Sequence, residues 1–391
     1  MNSRITGFFT ILKRELVELV KDRDIMILVL IAPLFYSIFY PTIYLNKTEF
    51  EIPVSIVDND GSTLSRQYLK DLDAHQLVEV SGNATNLSEA EELLKKEKVQ
   101  GVIIIPEDFE SSIKSGRHVT LKVLLNTHRF LHSNDINKAV NEIGFAWAEQ
   151  IRMKSFNLKG IPTDQAKELV EPVKEEIRFS FNSMLTYGDF LIPGVLILIL
   201  QQTLILGLAQ SIAKEQQENR LSIWFKNGNY STSAAITGKT LIYFLLFIVY
   251  SFFFVTFHYW FFDIPSYAPL FQTLMLTAFF VFINISFTVL IASFFSNKLS
   301  VLQVIAFTSY PFFFLTGFAW PELSFPPLMV WLGDLLPIKP FLSAFIKTFR
   351  MGGDLSIIVP EMKHLLILGV VYTLFAYIRM KWVFKHSTKE E

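Results

Sequence analysis

Five stretches of this chain run for about twenty residues without one Asp, Glu, Lys or Arg: Ile25–Leu45, Phe190–Ala213, Leu241–Phe262, Leu270–Phe295 and Leu299–Trp320. A hydrocarbon core roughly 30 Å thick needs about 20 mostly apolar residues at about 1.5 Å each. A single Lys, Arg or Asp at mid-bilayer costs about 2.5–3.5 kcal/mol on insertion scales. Runs of this length and purity therefore predict helices that cross a membrane. Leu365–Ile378 is shorter and makes a sixth crossing if Arg379 and Lys381 snorkel to the interface. Ile25–Leu45 is longer than the core of a cleaved leader. The Tyr44-Leu45-Asn46-Lys47 sequence after it offers no small-residue cleavage site, so it reads as a retained anchor.

With six crossings, four Lys- and Arg-bearing regions fall on one side. Arg4, Lys13, Arg14, Lys21 and Arg23 precede the first run, Lys214, Arg220, Lys226 and Lys239 follow the second, Lys298 follows the fourth, and Arg379, Lys381, Lys385 and Lys389 follow the sixth. The positive-inside rule puts that side, and both termini, in the cytoplasm. The expected layout is an N-terminal amphipathic helix over 1–24, a first crossing over 25–45 and an extracytoplasmic domain over 46–187. Five more crossings follow within 188–391, with a cytoplasmic connector at 214–239 and an outer segment at 316–346.

Residues 5–20 carry Ile5, Phe8, Phe9, Leu12, Leu16, Leu19 and Val20 at helical spacing, with Arg14, Glu15, Glu18, Lys21 and Asp22 opposite. Such a helix lies in the membrane interface. It serves either as an anchor or as an elbow that a cytoplasmic partner pushes. Residues 50–125 alternate strand-like runs (Ile52–Val57, Leu77–Val80, Gly101–Ile105, Val119–Leu125) with helix-like ones (Ser62–Leu72, Ser88–Lys96, Glu107–Lys114), the pattern of an α/β layer. Ser88 and Glu91 stand at capping-box spacing. Residues 131–183 read as long helices broken near Gly160.

The charge balance of −1 gives no basic field for nucleic acid, and the lack of cysteine removes thiol chemistry and disulfides. Gly238-Lys239-Thr240 has the end of a phosphate-binding loop, but the glycine that the motif needs five residues earlier is Ser233. His128 and His132 share a helical spacing with Asp135 nearby, and read as solvated rather than as zinc ligands. Inside the crossings, Gln201, Gln202, Asn284 and Gln303 are polar exceptions, either glue between helices or the lining of a translocation path. Over Thr316–Pro340, the prolines Pro321, Pro326, Pro327, Pro337 and Pro340 interrupt an aromatic stretch. This predicts a re-entrant element, or else an outer loop with a short helix.

Taken in order, these segments resemble the type-2 membrane-subunit family of ATP-binding-cassette exporters, in its long-outer-loop branch, over nearly the whole chain. Lys13-Arg14-Glu15-Leu16 through Asp22-Arg23-Asp24 and Pro33 is similar to the family's elbow helix. Val54–Ser62 with Ser65-Arg66, and Gly101–Phe109, resemble its outer domain. Thr316–Pro321 with Pro326-Pro327, Trp331 and Leu336-Pro337 resembles its outer gate. The family's Gly-Thr pair is missing from the loop Ala213–Phe225.

The resemblance implies a six-helix permease half that is not itself an enzyme. It carries an amphipathic or hydrophobic cargo (lipid, drug or polymer) outward across a bacterial inner membrane. It implies cytoplasmic ATPase subunits holding Mg-ATP, with no cofactor or metal in this chain, and a second permease subunit, identical or paralogous. It also implies contact with lipid and a periplasmic adaptor on the outer domain. Coupling falls to Glu15, Asp22, Lys214, Glu215, Glu218 and Arg220, with charge reversal at Glu15 or Glu215 expected to lower ATPase stimulation without reducing membrane insertion. The outer gate falls to Gly317, Phe318, Pro321, Pro326, Pro327 and Pro337. A competing reading is a membrane receptor or scaffold whose outer domain binds an envelope or protein partner.

Overall fold

The computed structural model describes residues 2–45, 50–170, 177–182 and 186–387. The chain divides into two compact units, one of Met1–Lys47 with Phe179–Glu391 and one of Thr48–Arg178. The first begins with α1 (Asn2–Lys21), whose last turn runs through Asp22 into α2 (Arg23–Ile43). Asp22 caps α2 by accepting from the Ile25 amide.

The inserted unit is a four-stranded mixed sheet of β1 (Ile52–Asp58), β2 (Val78–Asn83), β3 (Gly101–Ile105) and β4 (Lys122–Leu125), ordered β2-β1-β3-β4. β1 runs parallel to both neighbours, and β4 is antiparallel to β3. Its connectors are α3 (Thr63–Asp73), α4 (Leu87–Lys95) and α5 (Phe109–Lys114). The buried run of β1 is continuous because helices cover both faces, as expected of a parallel strand. The cap of α4 is Asn86, which accepts from Glu89 N at 2.9 Å, while Glu89 reaches back to Thr85 N. The predicted Ser88–Glu91 box is therefore displaced by two residues. The long helices are α6 (Phe130–Leu158) and α7 (Thr163–Val170), separated at Gly160, whose φ of +79° suits only glycine. Tyr68, Phe109 and Trp147 form an aromatic core between α3, α5 and α6, and Trp147 Nε1 donates to Asp71 at 2.9 Å.

The membrane unit continues with α8 (Tyr187–Gln217), α9 (Leu221–Asn227), α10 (Thr232–Phe261), α11 (Leu270–Ala292) and α12 (Lys298–Phe314). It ends with α13 (Pro327–Asp334), α14 (Ile338–Arg350) and α15 (Val359–Ser387). Among the described residues, five helices (α2, α8, α10, α11 and α15) are long and apolar enough to cross a membrane, and the α13–α14 pair, bent by 83°, raises the count to six if taken as one span.

Two expectations shift. The fifth run was expected over Leu299–Trp320, but α12 stops at Phe314 because the chain turns at Gly317, with φ of +78°. At 17 residues it measures about 26 Å. The sixth was expected to be the short one, yet α15 has 29 residues. Its flanking charges ended the apolar run without ending the helix. α8 is the hub, buried over most of its length, and α2, α11, α12 and α14 all pack on it. α2 and α10 each contain one wide turn, and Tyr250 and His258 of α10 hydrogen-bond to the Leu30 and Ser37 carbonyls of α2.

Candidate functional site

The polar face of α1 is only partly open to water: Lys21 is exposed, while Glu15 is buried. It packs on α10, where Gly238 allows contact at backbone distance: a methyl group there would meet the Phe8 carbonyl at 2.9 Å. Beneath it lie Glu15, Glu215 and Lys239, all but fully buried at 2%, 2% and 1% exposure. Lys239 Nζ bridges Glu15 Oε2 at 2.6 Å and Glu215 Oε1 at 3.2 Å. The other Glu15 oxygen accepts from Ser211 Oγ at 2.5 Å and Tyr243 OH at 2.9 Å. Arg14 donates to both oxygens of Glu215, at 2.6 and 2.5 Å. Two carboxylates and two cations thus form a neutral core in which every carboxylate oxygen has a donor. That is the condition under which buried charge is tolerated. The Lys239 ammonium also lies 5.1 Å from the Trp224 ring centre.

A more exposed rim surrounds this core. Glu18 takes Lys214 at 3.0 Å and Arg220 at 3.1 Å. Asp22 takes Lys214 at 2.9 Å and Lys298 at 3.0 Å, and Lys298 reaches Asp24 as well. Burial pushes the Asp22 carboxyl up, but hydrogen bonds from Lys214 and Lys298 outweigh it and bring it down to about 2. Glu18 is lowered in the same way: Lys214 and Arg220 overcome its desolvation. The network joins α1, the end of α8, the base of α10 and the start of α12. α9 is fixed beside it, with Trp224 Nε1 donating to the Ala235 carbonyl at 3.0 Å and Phe225 stacked on Phe384 of α15.

The structure splits the six residues assigned to coupling. Glu15 and Glu215 are buried, and their carboxylates are occupied by Lys239, Arg14, Ser211 and Tyr243. Asp22, Lys214 and Arg220 are half-buried in the rim, and Glu218 is exposed, holding Arg220 at 2.7 Å. Reasoning from sequence missed Arg14, Ser211, Tyr243 and Lys298. It had set Lys239 aside with the incomplete phosphate-loop motif, although a lone lysine at the start of a long apolar run was itself a signal of a buried counter-charge.

The four residues proposed for a path share no hydrogen bond with one another among the described residues. Gln201 is buried, with neither amide atom partnered among the described residues. Gln202 accepts from Ser309 Oγ at 2.8 Å, joining α8 to α12. Asn284 is buried and bonds within its own helix to the Phe280 carbonyl. Gln303 is exposed on α12.

At the other end of α8, the gate residues form a reversal. Gly317 makes the turn after α12, and Phe318 stacks on Phe190 with ring centres 5.0 Å apart. Pro327 is the first residue of α13, and Pro326 and Pro337 immediately precede α13 and α14. Pro321 precedes the short turn Glu322–Ser324. These prolines start helices rather than kink them, since a missing N–H costs nothing there. Lys339 Nζ sits 2.7 Å from both Glu322 and Asp334, and Lys347 pairs with Glu361. Arg350 ties the end of α14 to the carbonyls of Phe181 and Asp189, both at 3.3 Å.

Comparison with known proteins then gives the class. Residues 23–378 match the family described as ABC-2 family transporter protein, and the chain belongs to that family. It therefore carries the ABC-2 permease domain over most of its length, on several helices long and apolar enough to cross a membrane. The linearmycin resistance permease protein LnrN of Bacillus subtilis is 30% identical over 107 residues, 27% of this chain. The match spans about a quarter of that relative's length.

Proposed function

We propose that this chain is one permease half of an ABC exporter. It crosses a bacterial inner membrane six times, with α12 as the fifth crossing, α13–α14 as a re-entrant gate, both termini in the cytoplasm and the inserted unit outside. α1 is its elbow helix. A separate ATPase binds Mg-ATP, and a second permease subunit, identical or paralogous, completes the path. The cargo is an amphipathic or hydrophobic molecule, a reading supported by the resistance function named for the relative.

The observation that carries the reading is the ion core. It clamps α1 to α8 and α10, while Glu218, Ile223, Lys226 and Tyr230 stay exposed on the adjoining connector. A partner seated on that connector would move α9, α1 and the end of α8 as one body. This is how a soluble ATPase could act on the bundle without touching the buried carboxylates. The missing Gly-Thr pair leaves the connector helical and pinned through Trp224, consistent with force passing through packing.

The test is to tag the chain, purify it from its native membrane under mild cross-linking and identify what accompanies it. An ABC ATPase in roughly stoichiometric yield is expected, reduced by the exposed pair Glu218→Lys with Lys226→Glu. Recovery of the chain with no ATPase would sink the proposal.

A further inference from the structure

At the gate end, the reversal at Gly317, the α14 helix and the first turns of α15 line an open cavity of about 570 Å³. This is within the usual range for small-molecule sites. Its floor is apolar, with Phe318, Leu342 and Ile346, and its charged wall is unbalanced. Three carboxylates, Glu322, Asp334 and Glu361, face two lysines, Lys339 and Lys347. Both lysines are already engaged. Lys339 Nζ is shared between Glu322 Oε1 and Asp334 Oδ1 at 2.7 Å each, and Lys347 is bound to Glu361 Oε1, which also accepts from Ser343 Oγ at 3.0 Å. Glu361 Oε2 is buried with no partner among the described residues. Glu322 and Asp334 remain nearly half exposed, at 43% and 45% of their side chains. His364 gives its Nε2–H to the Asp334 carbonyl at 2.8 Å, so that donor is already used. The cavity therefore presents unfilled acceptors over an apolar floor, and its cations are already taken.

The geometry points to a binding site for a primary ammonium carried on an apolar chain, with the ammonium among Glu322, Asp334 and Glu361 and the chain against Phe318, Leu342 and Ile346. A third cation restores neutrality, and its N–H groups reach lone pairs that the lysines do not use. An anionic amphiphile would have to displace Lys339 or Lys347 from a carboxylate. The inference deepens the export reading by naming the cargo, or a modulator of the gate, as a cationic amphiphile. It rests on that reading only for its role in transport, since binding is measured on this chain alone.

The test uses the purified full chain in detergent and isothermal titration with n-octylamine, n-octanol and n-octanoate at neutral pH. Saturable binding of the amine, at least about tenfold tighter than the alcohol, is expected from one or two charge-assisted hydrogen bonds. The pair Glu322→Gln with Asp334→Asn should weaken the amine about tenfold. Lys347→Met should tighten it severalfold by freeing Glu361, an effect of opposite sign that misfolding does not produce. Equal affinity for amine and alcohol, preference for octanoate, or weaker amine binding by Lys347→Met would each overturn the site. A chain that binds the amine but recovers no ATPase would keep the site and remove the exporter.

Discussion

The two ends of α8 carry the same chemistry, lysine set between carboxylates, in opposite surroundings. At the α1 end, Lys239 and its two glutamates are sealed and every carboxylate oxygen has a donor. At the gate end, Lys339 bridges carboxylates that water reaches, above an open cavity. A sealed, saturated ion cluster fixes one geometry, because any displacement strands a charge in a low-dielectric interior. A half-wetted one lets its members exchange partners at small cost, since solvent takes over the freed groups. The first arrangement suits a joint that transmits position, the second a mouth whose contents change.

Lys239→Met should separate the two ends most sharply. It leaves Glu15 and Glu215 buried beside each other with one cation fewer, a loss of about 3–5 kcal/mol. Thermal unfolding in detergent should show a large drop or no folded fraction. A melting curve like that of the native chain would mean that the sealed core does not hold the bundle together. Charge reversal at Glu15 belongs to the same class. It was expected to disturb a surface contact, but burial makes it a folding variant, so its effect on ATP hydrolysis says nothing about that surface.

Lys339→Met is the matched change at the gate and should cost only about 1 kcal/mol, because Glu322 and Asp334 can turn to solvent. The same melting experiment checks it, and a loss as large as that of Lys239→Met would erase the distinction between the ends.

The smallest effect concerns the rim. Asp22 has its carboxyl lowered from 3.8 to about 2 by Lys214 and Lys298 against the opposing effect of burial. Its contribution is therefore present above about pH 4 and lost as pH falls through about 2. Asp22→Asn should flatten the acid limb of a stability-against-pH curve in that window. An unchanged acid limb would show that the rim lysines do not hold this carboxylate in its ionised form.

Much of the membrane unit was legible because insertion energetics act on single residues: one ionised group is expensive wherever it falls, so its absence over twenty residues is a strong signal. The same rule explains the misplaced ends. It reads charge rather than hydrogen bonding, so it carried the fifth run through the Gly317 turn and cut the sixth at Arg379, where the helix continues. The ion core was not legible. Glu15 and Lys239 stand 224 positions apart, and nothing in either segment announces the other. Amphipathic spacing showed that α1 has a polar face, but periodicity cannot say whether that face meets water or another helix. At the gate, the prolines marked an irregular segment correctly, while their role as helix starts depended on the reversal that brings α13 and α14 to an 83° bend.

The length of α8 has a mechanical corollary. Its 31 residues make a rod of about 46 Å, gripped near Ser211 and Glu215 at one end and overlain by Phe318 at Phe190 near the other. A stiff rod held at its base amplifies rotation into travel, so a tilt of only about 5° at the grip sweeps its tip through about 4 Å. That is more than the thickness of an aromatic ring, so it would be enough to part the stacked pair with no bond inside the rod being broken.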